Sequence, residues 1–260
     1  MNAAQLIHSR RWYHAFEVLP GLITPGRHFT DAAKIFDERF QLPADLSDKR
    51  ALDVGTLDGP YAFELEKRGA IVTALDIQSP DFSGFNTAKT VRQSQATYVQ
   101  GSVYDLDRLA PGPFDIIAFF GVWYHLKNPQ AAFDAISRSL AEDGIVLFEG
   151  ECLLNHIQRD GVDAELLQDE ARVLSKSDLP ISLFYPDRYK GDKWSWYVPN
   201  PACVRAWCQA AALDIVSASY WDDHPHQRMF GTARKIPGSP IRTDNPVWIR
   251  RPEDRGERRG

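Results

Sequence analysis

The sequence predicts an α/β protein built on one doubly wound, mostly parallel sheet of seven strands. Three observations carry that reading. Short apolar runs alternate with amphipathic stretches down the chain, the order that lays helices on both faces of a sheet. One run, Phe114-Asp-Ile-Ile-Ala-Phe-Phe120, is apolar almost throughout, as a central parallel strand buried on both faces must be. A third run, Arg50 to Val54, passes through a glycine turn into a helix, the corner at which open α/β sheets bind ligands. With 260 residues, 43% of them hydrophobic and 12% aromatic, the chain can bury one large core, and a second full domain is not expected.

Residues 1–48 precede the first sheet strand and read as an N-terminal cap. They hold Arg10-Arg-Trp-Tyr-His-Ala-Phe16, turns at Pro20-Gly21 and Pro25-Gly26, and a helix-like stretch from Thr30 to Phe40. Trp12, Tyr13 and His14 either line a pocket or pack the cap onto the core, the commoner use of aromatics near a terminus; His14 is a candidate substrate contact. The main domain is expected over residues 49–236. It opens on Arg50-Ala-Leu-Asp-Val-Gly-Thr-Leu-Asp-Gly-Pro-Tyr61. Gly55 and Gly59 permit a tight turn and close backbone approach, and Pro60 suits the first turn of a helix. That helix runs through Arg68, with Ala62 and Leu65 facing the sheet, Glu64, Lys67 and Arg68 in solvent, and Gly69 ending it. The second strand, Ile71 to Leu75, delivers Asp76 roughly 20 positions past Gly55, where a carboxylate can accept from a ribose diol. This suits an adenosine-bearing cofactor. A dinucleotide is disfavoured, because Leu57 and Pro60 occupy the second and third glycine positions of its fingerprint.

Residues 79–95 read as a loop with a short helix. Thr97 to Gln100 is the third strand, followed by the Gly101-Ser102-Val103 turn, and Phe114 to Phe120 the fourth, which leads into Gly121-Val-Trp-Tyr-His-Leu-Lys-Asn-Pro129 at the sheet's carboxyl edge. A helix from about Pro129 to Ala141 carries Phe133, Ile136 and Leu140 on one face. The Asp143-Gly144 turn then starts the fifth strand at Ile145. A helix from Asn200 to Ala212 buries Val204, Trp207, Cys208 and Ala211. The last two strands lie around residues 213–220 and 228–234. The intervening stretch, about 151–198, is too long for a routine connection and is dense in aromatics, so it is assigned as a lid over an acceptor pocket. From Pro237 onward four prolines and six arginines accompany few apolar residues, and residues 237–260 are expected to be a disordered tail.

Bulk properties narrow the classes. No run of about 18 apolar residues occurs and the start lacks the order of a secretory signal, so a soluble, cytoplasmic protein without membrane contact is expected. The three cysteines have no metal-ligand spacing and read as buried thiols; no metal is expected. A formal net charge of −5 argues against phosphate-driven binding to a polyanion. The oligomeric state stays open.

The motif Asp53-x-Gly55-x-x-x-Gly59 resembles motif I of class I S-adenosylmethionine-dependent methyltransferases. With Phe-Phe-Gly-Val-Trp-Tyr-His-Leu-Lys-Asn-Pro, Tyr-Pro-Asp-Arg-Tyr, Trp-Ser-Trp-Tyr-Val-Pro-Asn and Arg228, the chain more narrowly resembles the branch of tRNA wobble-uridine methyl- and carboxymethyltransferases and their small-molecule relatives. The resemblance covers about Trp12 to Lys235. It implies a Rossmann-like sheet with the last two strands as an antiparallel hairpin at one edge, and S-adenosyl-L-methionine as cofactor. It implies cofactor contacts at Asp53, Gly55, Thr56, Gly59, Asp76, Ile77, Ser102, Val103 and Phe120. Tyr124 and Arg228 would lie near the transferred group; the lysine that the carboxymethyl branch sets against a carboxylated cofactor is missing, Trp12-Tyr-His14 standing in its region.

The leading expectation is therefore methyl transfer to an oxygen or nitrogen of a small acceptor, aromatic or sugar-like. Tyr185, Tyr189, Trp194 and Trp196 would enclose the acceptor, Arg228 would hold an acceptor anion, and His125 or Tyr124 would take the proton. His125 capping the following helix, and the tryptophans forming lid core, are the plainer uses of those residues. Action on a tRNA wobble uridine ranks second, and a non-catalytic cofactor-binding subunit third.

Overall fold

A computed structural model describes residues 1–158, 168–223 and 226–242; residues 159–167 of the expected lid and 243–260 of the expected tail lie outside it. Its centre is a seven-stranded sheet. In chain order the strands are β1 (Arg50–Val54), β2 (Ile71–Asp76), β3 (Thr97–Gln100), β4 (Phe114–Phe120), β5 (Leu140–Glu151), β6 (Leu213–Trp221) and β7 (Arg228–Lys235). Across the sheet the order is β6-β7-β5-β4-β1-β2-β3. β1 to β5 are parallel, while β7 runs antiparallel to both β5 and β6. The expected final hairpin therefore docks through β7, with β6 outermost. The chain winds outward in both directions from β1 and β4, so the ligand crevice of such a sheet falls at their carboxyl ends.

Helices cover both faces. On one side α1 (Ala3–His8), α2 (Ala32–Phe40), α3 (Pro60–Lys67) and α4 (Phe85–Arg92) pack over Ala51, Ala74, Ile116 and Phe120. On the other, α5 (Leu106–Leu109), α6 (Pro129–Ser139) and α8 (Pro201–Ala210) pack over Leu52, Ile117, Phe119 and Phe148, with Trp123 fully buried among them. β4 is buried along nearly its whole length, as its unbroken apolar run requires. Asn128 and Asn200 cap α6 and α8 by accepting from the amides of Ala131 and Cys203. All three cysteines are buried.

Two expectations need correction. Arg68 is not in solvent but 8% exposed. Its guanidinium donates to Glu64, Asp37 and the carbonyls of Leu42 and Ala33, tying α3 to α2 and to the segment before β1. A buried guanidinium with five donors fits where several carbonyls converge, and helical spacing alone cannot reveal that. Leu140, expected on the apolar face of α6, instead opens β5 opposite Phe114, and the expected turn at Asp143-Gly144 falls in an irregularity before Ile145 pairs with Ile116. The expected tail is described as far as Arg242, whose amide donates to the Ala210 carbonyl.

The stretch expected to form a lid has a small core of its own. α7 (Gln168–Ser175) contributes Ala171, and an antiparallel pair, Ser182–Phe184 with Tyr197–Pro199, packs with Leu153, Tyr185, Tyr189 and Val198. Among the described residues no helix is long and apolar enough to cross a membrane.

Candidate active site

The cofactor half is a turn held by carboxylates. Gly55 has φ +79°, and a Cβ there would overlap Val122 Cγ2, so the β1 turn and the turn after β4 touch through glycine. Gly59 has φ +90° at the N-cap of α3; a Cβ would lie 2.6 Å from Phe63 and 2.8 Å from Phe85, so its bareness serves packing beneath the turn. Leu57 replaces the middle glycine yet keeps a left-handed backbone, φ +46°. Its amide donates to Asp76 Oδ2 at 2.9 Å, a contact that helps offset the steric cost of that conformation. Asp76 Oδ1 takes the Gln78 amide at 2.8 Å. Burial raises the Asp76 pKa, with the amides of Gln78, Leu57 and Ile77 working the other way. Beside it Ile77 presents an apolar side chain, 66% exposed.

Asp53 is buried beneath the turn, and its Oδ2 takes no hydrogen bond from the protein. Burial pushes its carboxyl up to about 7, against the Thr56 hydroxyl and the Ala62 amide. Thr56 is likewise buried. Ser102 caps the turn after β3 by accepting from Tyr104, while Val103 sends its side chain into the core. Phe120 is also buried, edge-on to Tyr61 at 4.7 Å and stacked on Phe40 at 5.2 Å, so it floors the site from within an aromatic cluster.

Asp58, which sequence reasoning passed over, ties the cap to this turn. Its Oδ2 accepts from the amides of Tyr13 and His14, both at 2.8 Å, and its Oδ1 from Gly84 at 2.9 Å. His14 Nδ1 lies 3.3 Å from the same carboxylate, so the candidate substrate contact is turned toward Asp58. Burial opposes ionisation of Asp58, but the His14 side chain and amide and the Gly84 amide outweigh it and lower the pKa. The only sequence hint was an acidic residue inside a glycine turn.

The residues expected on the acceptor side form a charge network at the ends of β5 and β7. The antiparallel register sets Arg228 opposite Glu151 and Phe230 opposite Glu149, which brings Glu149 diagonally within reach of Arg228. Arg228 Nε donates to Glu149 Oε1, Nη2 to Glu149 Oε2 at 2.9 Å, and Nη1 to Glu151 Oε2 at 3.3 Å. The Tyr124 hydroxyl accepts from both Nη atoms at 3.3 and 3.4 Å, and the guanidinium lies 5.1 Å from the Tyr124 ring centre. Burial works against the Arg228 charge, but Glu149, Tyr124 and Glu151 raise its pKa overall. Arg228, expected to hold an acceptor anion, has its charge met by two carboxylates of the protein. Glu149 and Glu151 escaped notice because only the strand register, not sequence spacing, brings them to Arg228.

The four lid aromatics do not form one cage. Tyr185 and Tyr189 are buried in the lid core, 4.8 Å apart, while Trp194 is 72% exposed. Trp196 stacks beneath the Lys127 ammonium at 4.8 Å, and its amide donates to the Tyr124 carbonyl at 2.7 Å. The Tyr189 hydroxyl donates to Glu151 Oε1 at 2.8 Å and takes Gln227 Nε2 at 2.7 Å. Lys190 Nζ reaches the same Glu151 oxygen at 2.8 Å. These two residues fasten the lid to the sheet.

Burial pushes the Tyr124 hydroxyl up to about 12, with Arg228 countering, so Tyr124 keeps its proton at neutral pH. His125 differs. Its Nδ1 lies 3.0 Å from the Trp194 carbonyl, which can only accept, so Nδ1 carries the hydrogen and Nε2 the lone pair of the neutral ring. Asp192 Oδ2 stands 3.5 Å from the same nitrogen. Desolvation lowers the His125 pKa, although 39% of the side chain still meets water. His125 does not cap α6; Asn128 does. Among the described residues no cluster of His, Cys, Asp or Glu could hold a metal.

This sheet order, glycine turn and terminal Asp76 define the class I S-adenosylmethionine-dependent methyltransferase fold. Residues 52–148 match a family model described as a methyltransferase domain. It is 23% identical over 180 residues to the tRNA U34 carboxymethyltransferase of Helicobacter pylori (strain Shi470), covering 65% of this chain and 58% of that protein. The chain thus spans less than two thirds of that relative. It is 27% identical over 117 residues to a ubiquinone biosynthesis O-methyltransferase of Psychrobacter cryohalolentis, covering 44% of this chain and 43% of that one. Among solved structures, the N-terminal domain of EvdMO1, crystallised with S-adenosylhomocysteine and D-fucose, aligns over 89% of this chain and 93% of its own, with TM-score 0.59 and 16% identity.

Proposed function

We propose that the protein transfers a methyl group from S-adenosyl-L-methionine to a hydroxyl of a small-molecule acceptor. The observation that carries this is the pairing of an open cofactor turn with a histidine whose basic nitrogen is set by a carbonyl. The residues present fit the cofactor. Asp76 and the exposed Ile77 face suit a ribose diol and an adenine, and the unpartnered Asp53 Oδ2 suits an ammonium group. The cofactor supplies an electrophilic methyl on a sulfonium, so the protein's task is to position, dry and deprotonate. His125, held by Trp194 and Asp192, takes the acceptor proton on Nε2. Tyr124 and Arg228 order the acceptor side without exchanging protons, and the lid excludes water.

The relationship to tRNA U34 carboxymethyltransferases supports a second reading, in which the acceptor is a wobble uridine. One experiment separates the two. Protein incubated with methyl-labelled cofactor and either bulk tRNA or a metabolite extract is expected to label the extract and not the tRNA. Calorimetric binding of S-adenosylmethionine with no label transferred to either would leave a non-catalytic binder and sink the proposal.

A further inference from the structure

Arg228 is the natural place to seat an anion beside the transferred group, yet the fold has filled it. The Glu149 carboxylate takes the Nε and Nη2 edge of the fork, and Glu151 takes Nη1. Glu151 in turn holds Tyr189 and Lys190 at 2.8 Å each. Two carboxylates and two cations so balance within the network. Asp192, beside His125, adds a further negative charge. Of the two carboxylates, Glu149 is the more open, its side chain 13% exposed against 7% for Glu151. The same charge extends outward: Glu149 and Asp192 both help raise the pKa of Tyr13 from the cap, after burial, and Glu149 that of Tyr61 from α3. Glu149 and the Tyr124 hydroxyl share the one guanidinium, which sets this carboxylate beside Tyr124.

We propose that Glu149 is a specificity-determining residue that makes the acceptor side an anion-rejecting subsite, one that takes uncharged or cationic acceptors bearing hydroxyl or amine donors. The inference rests on the reading above that Tyr124 and Arg228 lie beside the transferred group. A carboxylate or phosphate entering there must take the guanidinium from Glu149 and leave that residue uncompensated where solvent screening is weak. A hydroxyl or amine has no such cost. It donates to the carboxylate lone pairs that the fork leaves unused, and the salt bridge stays intact.

The test needs no knowledge of the acceptor, because the cofactor can carry the probe charge. S-adenosylmethionine and carboxy-S-adenosylmethionine differ by one carboxylate on the transferred carbon. In calorimetric titrations the wild-type protein is expected to bind the carboxylated compound at least about tenfold more weakly. Glu149→Gln removes the charge that occupies the fork and is expected to narrow that ratio about tenfold. Equal or tighter wild-type binding of the carboxylated compound overturns the proposal, as does an unchanged ratio in Glu149→Gln. Should that variant fail to fold, the wild-type pair still decides. A wild-type protein that binds S-adenosylmethionine and the carboxylated compound equally removes only the anion-rejecting subsite; binding of neither compound removes the proposed function as well.

Discussion

The two halves of the site are made in different ways. The cofactor half is local: Asp53, Gly55, Leu57, Asp58 and Gly59 fall in one turn, and Asp76 arrives one helix and one strand later. Its contacts are largely between carboxylates and backbone amides, which any side chain leaves available. The proposed acceptor half is non-local: Arg228 meets Glu149, Glu151 and Tyr124 only because β7 inserts beside β5 in one register, and Tyr189 and Lys190 reach Glu151 from the proposed lid. A turn of the first kind can be kept while the second kind is rebuilt. One fold can so serve many acceptors.

The comparison breaks most sharply at Arg228. Arg228→Ala strands the Glu149 carboxylate, leaves Glu151 with Lys190 alone for a cation among the described residues, and is expected to cost about 3–5 kcal/mol of stability, read as a lowered urea midpoint. Replacing Arg228 and Glu149 together by neutral residues should cost clearly less than the two single changes summed, since the pair is coupled. Additive losses would mean the fork carries little energy. On the cofactor side, Asp76→Ala should weaken S-adenosylmethionine by about 1.5–3 kcal/mol in a calorimetric titration. A folded variant with unchanged affinity would remove Asp76 from the site.

Smaller is Tyr189→Phe, which takes away the hydroxyl shared by Glu151 and Gln227. It should cost about 1–2 kcal/mol by denaturant titration and open the lid to protease. Least in energy, but most telling for chemistry, is the pH profile. His125 has a lowered pKa, so its neutral form persists below the ordinary value near 6.5. Turnover is therefore expected to hold through neutral pH and to fall as pH drops through the folded-state value. His125→Gln should remove that acid limb along with most of the rate. Its stability linkage has the same sign: the contribution is present above the unfolded value and is lost on acidification. A limb that survives the substitution would assign the base elsewhere.

This division also explains what could be read from the chain. β4 was legible because an unbroken apolar run has few uses other than a central strand, and α3 because Gly59-Pro60 and Gly69 bracket it. The seven strands followed from their periodicity and turns. Asp58, Arg68, Glu149 and Glu151 were not legible, for one shared reason. Each is a charged residue whose partners lie in other segments, and local pattern assigns such residues to solvent by default. The lid aromatics misled in the opposite sense: their density was visible, but whether each ring packs inward, as Tyr185 does, or outward, as Trp194 does, depends on the lid's own small core.

The Asp58 clamp has a consequence for the order of events in turnover. The turn that would cradle the cofactor also holds the Tyr13 and His14 amides, so a cofactor seated there would brace the cap from its other side. Steady-state kinetics should accordingly be sequential and ordered, with S-adenosylmethionine adding first and S-adenosylhomocysteine leaving last. The demethylated product should then inhibit competitively against the cofactor and noncompetitively against the acceptor, and Asp58→Asn should shift that pattern toward random addition.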